Sequence, residues 1–182
     1  MDRKRYAVQD HITGSDIKSL RKRLSLSQSA FAELVGVSLK TVERWEYSNT
    51  SITGPMVLLR KLLIESPDAE ERIRIPKRTG NLRLWYMYRD DVCTIMDIDE
   101  KDKLLHIYNY TNRLQFRAFG INEHPTYEDL EEFLESRCFP RTRDKMKIML
   151  NALDIPFYDP MTIIEKTQGR MAEDDFWLRI ER

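Results

Sequence analysis

The chain has 182 residues, enough for one large or two small domains, and its 41% apolar content supplies real cores, which excludes a disordered tail or linker protein. Its 30 Lys and Arg balance 30 Asp and Glu, which argues against nucleic acid as the partner of the whole surface. No apolar run can cross a bilayer, the charged start MDRKRYAVQD leads into no apolar stretch, and Cys93 and Cys138 lack C-x-x-C spacing, so a cytoplasmic protein with reduced thiols, no membrane contact, no metal and no cofactor is expected.

Arg3, Lys4 and Arg5 form a basic tip, more in keeping with a solvated terminus than with an arm on phosphates. Ser15 to Leu24 is the first expected core helix, with Ser15 as cap, Asp16 in the first turn and Ile17, Leu20 and Leu24 on one stripe. Lys18, Arg21, Lys22 and Arg23 surround that stripe and offer phosphate contacts wherever they point outward. Ala30, Phe31, Leu34 and Val35 carry a second helical period that stops at Gly36, and Leu39, Val42 and Trp45 begin a third directly after Val37. A helix that ends and restarts so abruptly needs a left-handed backbone position, which glycine adopts without a Cβ penalty. Ser38 is placed to cap the third helix. Leu39, Val42 and Trp45 are expected to face inward, and Ser38, Lys40, Thr41 and Arg44 outward. Glu43 and Glu46 are ill suited to face phosphates. Gln28, one residue into the second helix, is suited to hydrogen-bond a phosphate if that helix crosses a DNA backbone while the next enters the major groove.

Gln28, Phe31, Ala32, Gly36, Val37, Ser38, Thr41, Val42, Trp45 and Glu46 spell Q-x-x-F-A-x-x-x-G-V-S-x-x-T-V-x-x-W-E. This pattern resembles the Cro/repressor-type (XRE) helix-turn-helix family, and the resemblance runs from Gly14 to Ser66. It implies a compact bundle of four or five helices that binds a double-stranded DNA operator, commonly as a homodimer on a palindrome. Ser48 and Asn49, in the loop that the family lays beside the backbone, join Gln28, Ser38, Lys40, Thr41 and Arg44 as the candidate DNA-binding set.

Thr53 is read as the cap of a fourth helix with Pro55 in its first turn, made strongly apolar by Val57, Leu58, Leu59, Leu62 and Leu63. Its surplus apolar face is available for dimerisation. Ser66-Pro67 stops it, and Glu70, Glu71, Arg72 and Arg74 suggest one more helical turn before Pro76 and Gly80. The expected organisation is a helix-turn-helix domain over 1–66, a linker over 67–81 and an interaction or dimerisation domain over 82–182. Residues 1–66 hold 11 Lys and Arg against 7 Asp and Glu, and residues 67–182 hold 19 against 23. The basic surplus of four thus sits on the DNA-reading part, and the acidic remainder suits a protein partner or a role in joining two reading heads.

Beyond the linker, LRLWYMY, VCTIMDI and the stretch from Leu105 to Tyr110 alternate in strand fashion and predict a hairpin or three-stranded meander. Trp85, Tyr86, Tyr88, Tyr108 and Tyr110 offer stacking platforms for bases, but the neighbouring aspartates favour a sheet core. Gln115 to Phe119 is a candidate further strand. Thr126 is read as the cap of a helix through Tyr127, Leu130, Phe133 and Leu134. A second helix is placed after Thr142, a third from Asp159 to Gln168 with Gly169 behind it, and a last strand in Phe176, Leu178 and Ile180. The fold class expected is an N-terminal all-α helix-turn-helix bundle followed by a small α+β domain. The tail I-P-F-Y-D-P, from Ile155, with K-T-x-G-R-M-x-E-D-x-F-W, from Lys166, resembles small regulators of bacterial mobile elements and toxin–antitoxin loci, sometimes found beside kinase-like toxins.

Two clusters in the second half invite chemistry. Arg141, Arg143 and Asp144 beside Cys138 suggest an activated thiol, although Pro140 and Thr142 read equally as a helix junction. Glu173, Asp174 and Asp175, with Asp159 or Glu165, suggest a divalent-ion site, although three consecutive acids point in different directions. The function expected is a sequence-specific transcriptional repressor, not an enzyme, in the form of an antitoxin whose second domain binds a toxin. The alternative is a metal-dependent nuclease that uses the same head for targeting.

Overall fold

The computed structural model describes residues 6–48, 51–66, 68–142 and 146–182. Arg3, Lys4, Arg5, Asn49, Arg143 and Asp144 lie outside the described residues. The chain divides into two units, Met1–Ile75 and Pro76–Arg182.

Among the described residues the first unit holds five helices: α1 (Gly14–Arg23), α2 (Gln28–Leu34), α3 (Leu39–Tyr47), α4 (Pro55–Glu65) and α5 (Ala69–Ile73). They enclose a core of Ile17, Leu20, Phe31, Val42, Met56, Val57 and Leu63, joined by Ile12 and Ile52, whose backbones pair in a single antiparallel bridge. Each such side chain, fully buried, contributes roughly 1.5–3 kcal/mol. The cap of α1 is Thr13 and not Ser15, because Thr13 has an acid three residues on: its hydroxyl accepts from the Asp16 N–H at 3.3 Å, and Asp16 accepts from the Thr13 N–H at 2.9 Å. Asp16 also accepts from Arg60 of α4 at 2.9 Å. Those Thr13 bonds hold its carboxyl below the ordinary range. Pro55 opens α4 as expected, but the cap position belongs to Gly54, at φ 81°, with no side-chain cap bond; Thr53 lies outside it. A residue preceding proline is barred from helical backbone, and glycine has the freedom this entry requires.

The second unit is α+β. Strands β1 (Leu82–Tyr88), β2 (Asp91–Asp99), β3 (Leu104–Asn109) and β4 (Phe176–Glu181) form one antiparallel sheet in the order β3-β2-β1-β4. The expected meander is there, and the chain's last strand returns to pair with β1. Helices α6 (Tyr127–Ser136), α7 (Met146–Ala152) and α8 (Pro160–Thr167) supply Leu130, Phe133, Leu150, Ile163 and Ile164 to a core with Leu82, Leu84, Met96, Ile98 and Leu178. Because strand side chains alternate, Trp85, Met87 and Ile95 form a second cluster on the opposite face, flanked by Tyr108, Tyr110 and Trp177. Thr126 caps α6 in a capping box with Asp129, and Asp159 caps α8. The segment expected as a strand at Gln115 to Phe119 is instead a 3-10 turn, Leu114–Phe116. Its amides are consumed locally, Phe116 N–H by Arg113 O at 2.9 Å and Arg117 N–H by Leu114 O at 3.1 Å, which leaves no ladder to extend. Its aromatic rings meet the core instead, Phe116 edge-on to Tyr88 with centroids 4.6 Å apart.

Candidate nucleic-acid interface

The turn between α2 and α3 follows from Gly36. At φ 69° it lets the Val37 N–H reach back to Ala32 O at 2.9 Å and its own N–H reach Glu33 O at 3.2 Å, the paired bonds of a Schellman ending. Ser38 then caps α3, accepting from the Thr41 N–H at 3.2 Å, while its Oγ lies 2.9 Å from Thr41 Oγ1. Gly14 carries a packing constraint that the sequence does not announce. A Cβ there would stand 1.9 Å from the Trp45 carbonyl oxygen, so the start of α1 lies directly on the end of α3.

Val42 is fully buried and Trp45 packs partly buried against the same core. Lys40, Glu43, Arg44 and Tyr47 are exposed, and Thr41 and Ser48 are half-buried. Leu39, expected inward, is 43% exposed: as the first residue of α3 it has no preceding turn to cover it. Lys18 of α1, Gln28 of α2, and Lys40, Glu43, Arg44, Glu46 and Tyr47 of α3 surround an open depression of about 630 Å³. The structure thus brings Gln28, Lys40 and Arg44 around one concavity and joins Ser38 to Thr41 at its helix start. Ser48 donates its N–H to Arg44 O at 2.9 Å, and Asn49 lies outside the described residues.

One network was not legible as such. Arg21 grips Glu46 with Nε at 2.7 Å and Nη2 at 3.0 Å, and gives Nη1 to the Leu26 carbonyl at 2.9 Å. Gln28 Nε2 also donates to Glu46, at 3.0 Å. The bond from Arg21, with Gln28 behind it, holds the Glu46 carboxyl below its ordinary value despite burial. Arg21 is therefore spent inside the unit rather than on phosphates. Gln28 keeps its second amide N–H and its carbonyl oxygen unbonded among the described residues, in an orientation that Glu46 sets. The signal was available: Glu46 lies one turn after buried Val42, on the flank that α1 and α2 cover.

Residues 17–59 match the helix-turn-helix family. The match runs from within α1 into α4 and contains the whole Gln28-to-Glu46 pattern of the Cro/repressor type. The chain is also similar to Antitoxin HigA-2 of Vibrio cholerae, 32% identical over 63 residues, which are 35% of this chain and 61% of that relative. No solved structure matches the chain.

The clusters of the second unit have other occupations. Cys138 is buried, and burial pushes its thiol up to about 12, the opposite of an activated nucleophile. Arg141 pairs instead with Glu135 at 2.7 Å. Asp174 receives Arg137 at 2.6 and 3.0 Å, and Asp175 receives Arg89 at 2.7 Å. Among the described residues no three His, Cys, Asp or Glu side chains stand together as a metal site. Arg137, which the sequence reading passed over, also donates to Gly169 O and Phe176 O, at 2.8 and 3.0 Å from Nη2, and so ties the end of α6 to the start of β4.

Among the described residues no helix is long and apolar enough to cross a membrane.

Proposed function

We propose that the chain is a cytoplasmic, sequence-specific repressor that reads a double-stranded operator through the outward side of α3. The observation that carries this reading is the joint presentation of Lys40 and Arg44 around a concavity that Gln28 also lines, on a helix-turn-helix whose own carboxylate Glu46 is already neutralised. Lys40 and Arg44 meet guanine edges or phosphates, Thr41 and Ser38 meet bases or backbone near the helix start, and Gln28, Ser48 and Asn49 grip phosphates. Leu58 and Leu62 of α4, 49% and 51% exposed one turn apart, border an apolar groove of about 530 Å³ lined by Val35, Val37, Trp45 and Leu59. This surface supports a homodimer on a palindromic site.

The likeness to a protein named an antitoxin supports a finer reading, in which the acidic second unit holds a toxin while the first unit represses the shared operon. The experiment is a titration of wild type and Arg44→Ala against a duplex selected from a random pool. Loss of a good base contact weakens binding about 10- to 100-fold. Equal affinity of the two proteins means that the reading face is misassigned. For the antitoxin role, residues 76–182 co-expressed with a toxic neighbouring gene product should restore growth. Failure of that fragment, with rescue by the full chain, moves the toxin contact to the first unit.

A further inference from the structure

We infer that Glu43 reads the exocyclic amino group of a cytosine in the major groove and so sets the base preference of α3. The inference rests on the DNA-reading proposal above and specifies one of its contacts.

Two glutamates stand three residues apart on α3. Glu46 is turned inward, its carboxylate covered by Arg21 and Gln28. Glu43 is exposed on the rim of the same depression as Lys40, Arg44 and Tyr47, and makes no hydrogen bond or ion pair among the described residues. A bare carboxylate on a surface that approaches DNA opposes the phosphates and works against the counterion release that drives binding. Its favourable partner in a major groove is a donor, and only cytosine N4 and adenine N6 donate there. Adenine carries the acceptor N7 beside N6, which repels a carboxylate. Cytosine has no acceptor on its own groove edge. The guanine opposite presents O6 and N7, and Lys40 and Arg44, three residues before and one after Glu43, carry the donors that suit them. A C·G pair therefore answers both signs of charge on this face. A phosphate answers only the positive one.

The test uses the full chain as wild type, Glu43→Ala and Glu43→Gln, and duplexes selected by wild type from a random pool. Each operator position is then replaced singly, and binding is titrated at one salt concentration alongside a non-operator duplex. Glu43 is exposed, so unchanged melting of the variants serves as the folding control. For wild type, one C·G position should lose about 10-fold or more on replacement. In Glu43→Ala that discrimination should fall to about twofold while the non-operator duplex is bound more tightly. Glu43→Gln should move the preference at that position toward adenine, whose N6 and N7 an amide satisfies together. If both variants tighten on every duplex alike and every positional preference is retained, Glu43 is a bystander acid and the inference is overturned, with DNA reading intact. If wild type selects no sequence, the DNA-reading proposal falls and takes this inference with it.

Discussion

The two units bury arginine–carboxylate pairs to different ends. In the first, Arg21 and Glu46 are consumed by one another, but their neighbours Gln28, Lys40 and Arg44 keep donors facing outward around a shared concavity. In the second, Arg83 meets Asp97 at 2.5 and 2.8 Å and gives the remainder to Pro76 O, while Thr79 closes on Asp97 at 3.0 Å from its N–H. Arg137 is used up in the same way on Gly169, Asp174 and Phe176. A buried ion pair therefore marks no site by itself. What separates a reading surface from a staple is whether the groups next to the pair are left with something to offer.

The largest effect is expected at Asp97. Its side chain is fully buried and that of Arg83 is 4% exposed, so Asp97→Ala leaves a guanidinium without its counter-charge at a cost of about 3–5 kcal/mol. The double change Arg83→Met with Asp97→Leu should recover most of that loss, because an apolar pair avoids desolvating two charges. Urea unfolding of the full chain measures both, and equal losses for the single and double variants would mean that the pair is more than a staple. Burial alone would raise the Asp97 carboxyl, yet the bonds from Arg83 and Thr79 outweigh it and hold it below its ordinary 3.8. A depressed carboxyl stabilises the fold above the unfolded value and loses that contribution as pH falls through the folded one. The contribution of Asp97 should therefore be complete above about 3.8 and fade as pH drops below it, and Asp97→Asn should flatten that part of the acid dependence.

A smaller effect is expected at Glu46, where the two roles meet. Glu46→Gln keeps the shape but removes the charge facing Arg21, which should cost about 1–3 kcal/mol of stability. It should also weaken operator binding beyond that cost at temperatures where the protein is fully folded, because Arg21 and Gln28 then compete for the one acceptor oxygen that remains. The Glu46 carboxyl is likewise held below its ordinary 4.5, so its contribution fades as pH falls below that value and is complete above it. Operator affinity unchanged in folded Glu46→Gln would show that Gln28 takes its place without Glu46.

Much of this was legible in the residues. Gly36 followed by Ser38 dictated a left-handed stop and a capped restart, and both occur because each rests on one residue's local chemistry. The alternation from Leu82 to Asn109 gave three strands for the same reason. The departures at Leu39 and at Leu114–Phe116 come from local backbone position, and those at Gly14 and Arg21 from partners far along the chain. Helical period alone places Leu39 inward, although a first-turn residue lacks a turn to cover it. Gln115 to Phe119 looked like a strand because its aromatics are apolar, yet they serve a core under the sheet. Gly14 was invisible because its constraint is the Trp45 carbonyl thirty-one residues later. The Arg21, Gln28 and Glu46 network likewise joins three helices.

The smallest effect expected is none, and it bears on the division of labour between the units. Residues 1–75 hold 13 Lys and Arg against 10 Asp and Glu, and residues 76–182 hold 17 against 20. The slope of binding against salt counts phosphates neutralised, so a unit with an acidic surplus that stays off the duplex adds nothing to it. A fragment of residues 1–75 and the full chain, titrated on a single half-site, should therefore give the same slope. Affinity for a full palindrome can still differ, because joining two heads makes the second contact intramolecular. A shallower slope for the fragment would assign phosphate contacts to basic residues beyond Ile75, with Lys77 and Arg78 the nearest. Of these two, Arg78 already faces Glu181 at 3.8 Å, which leaves Lys77 as the residue whose replacement by alanine should then reproduce the fragment's slope in the full chain.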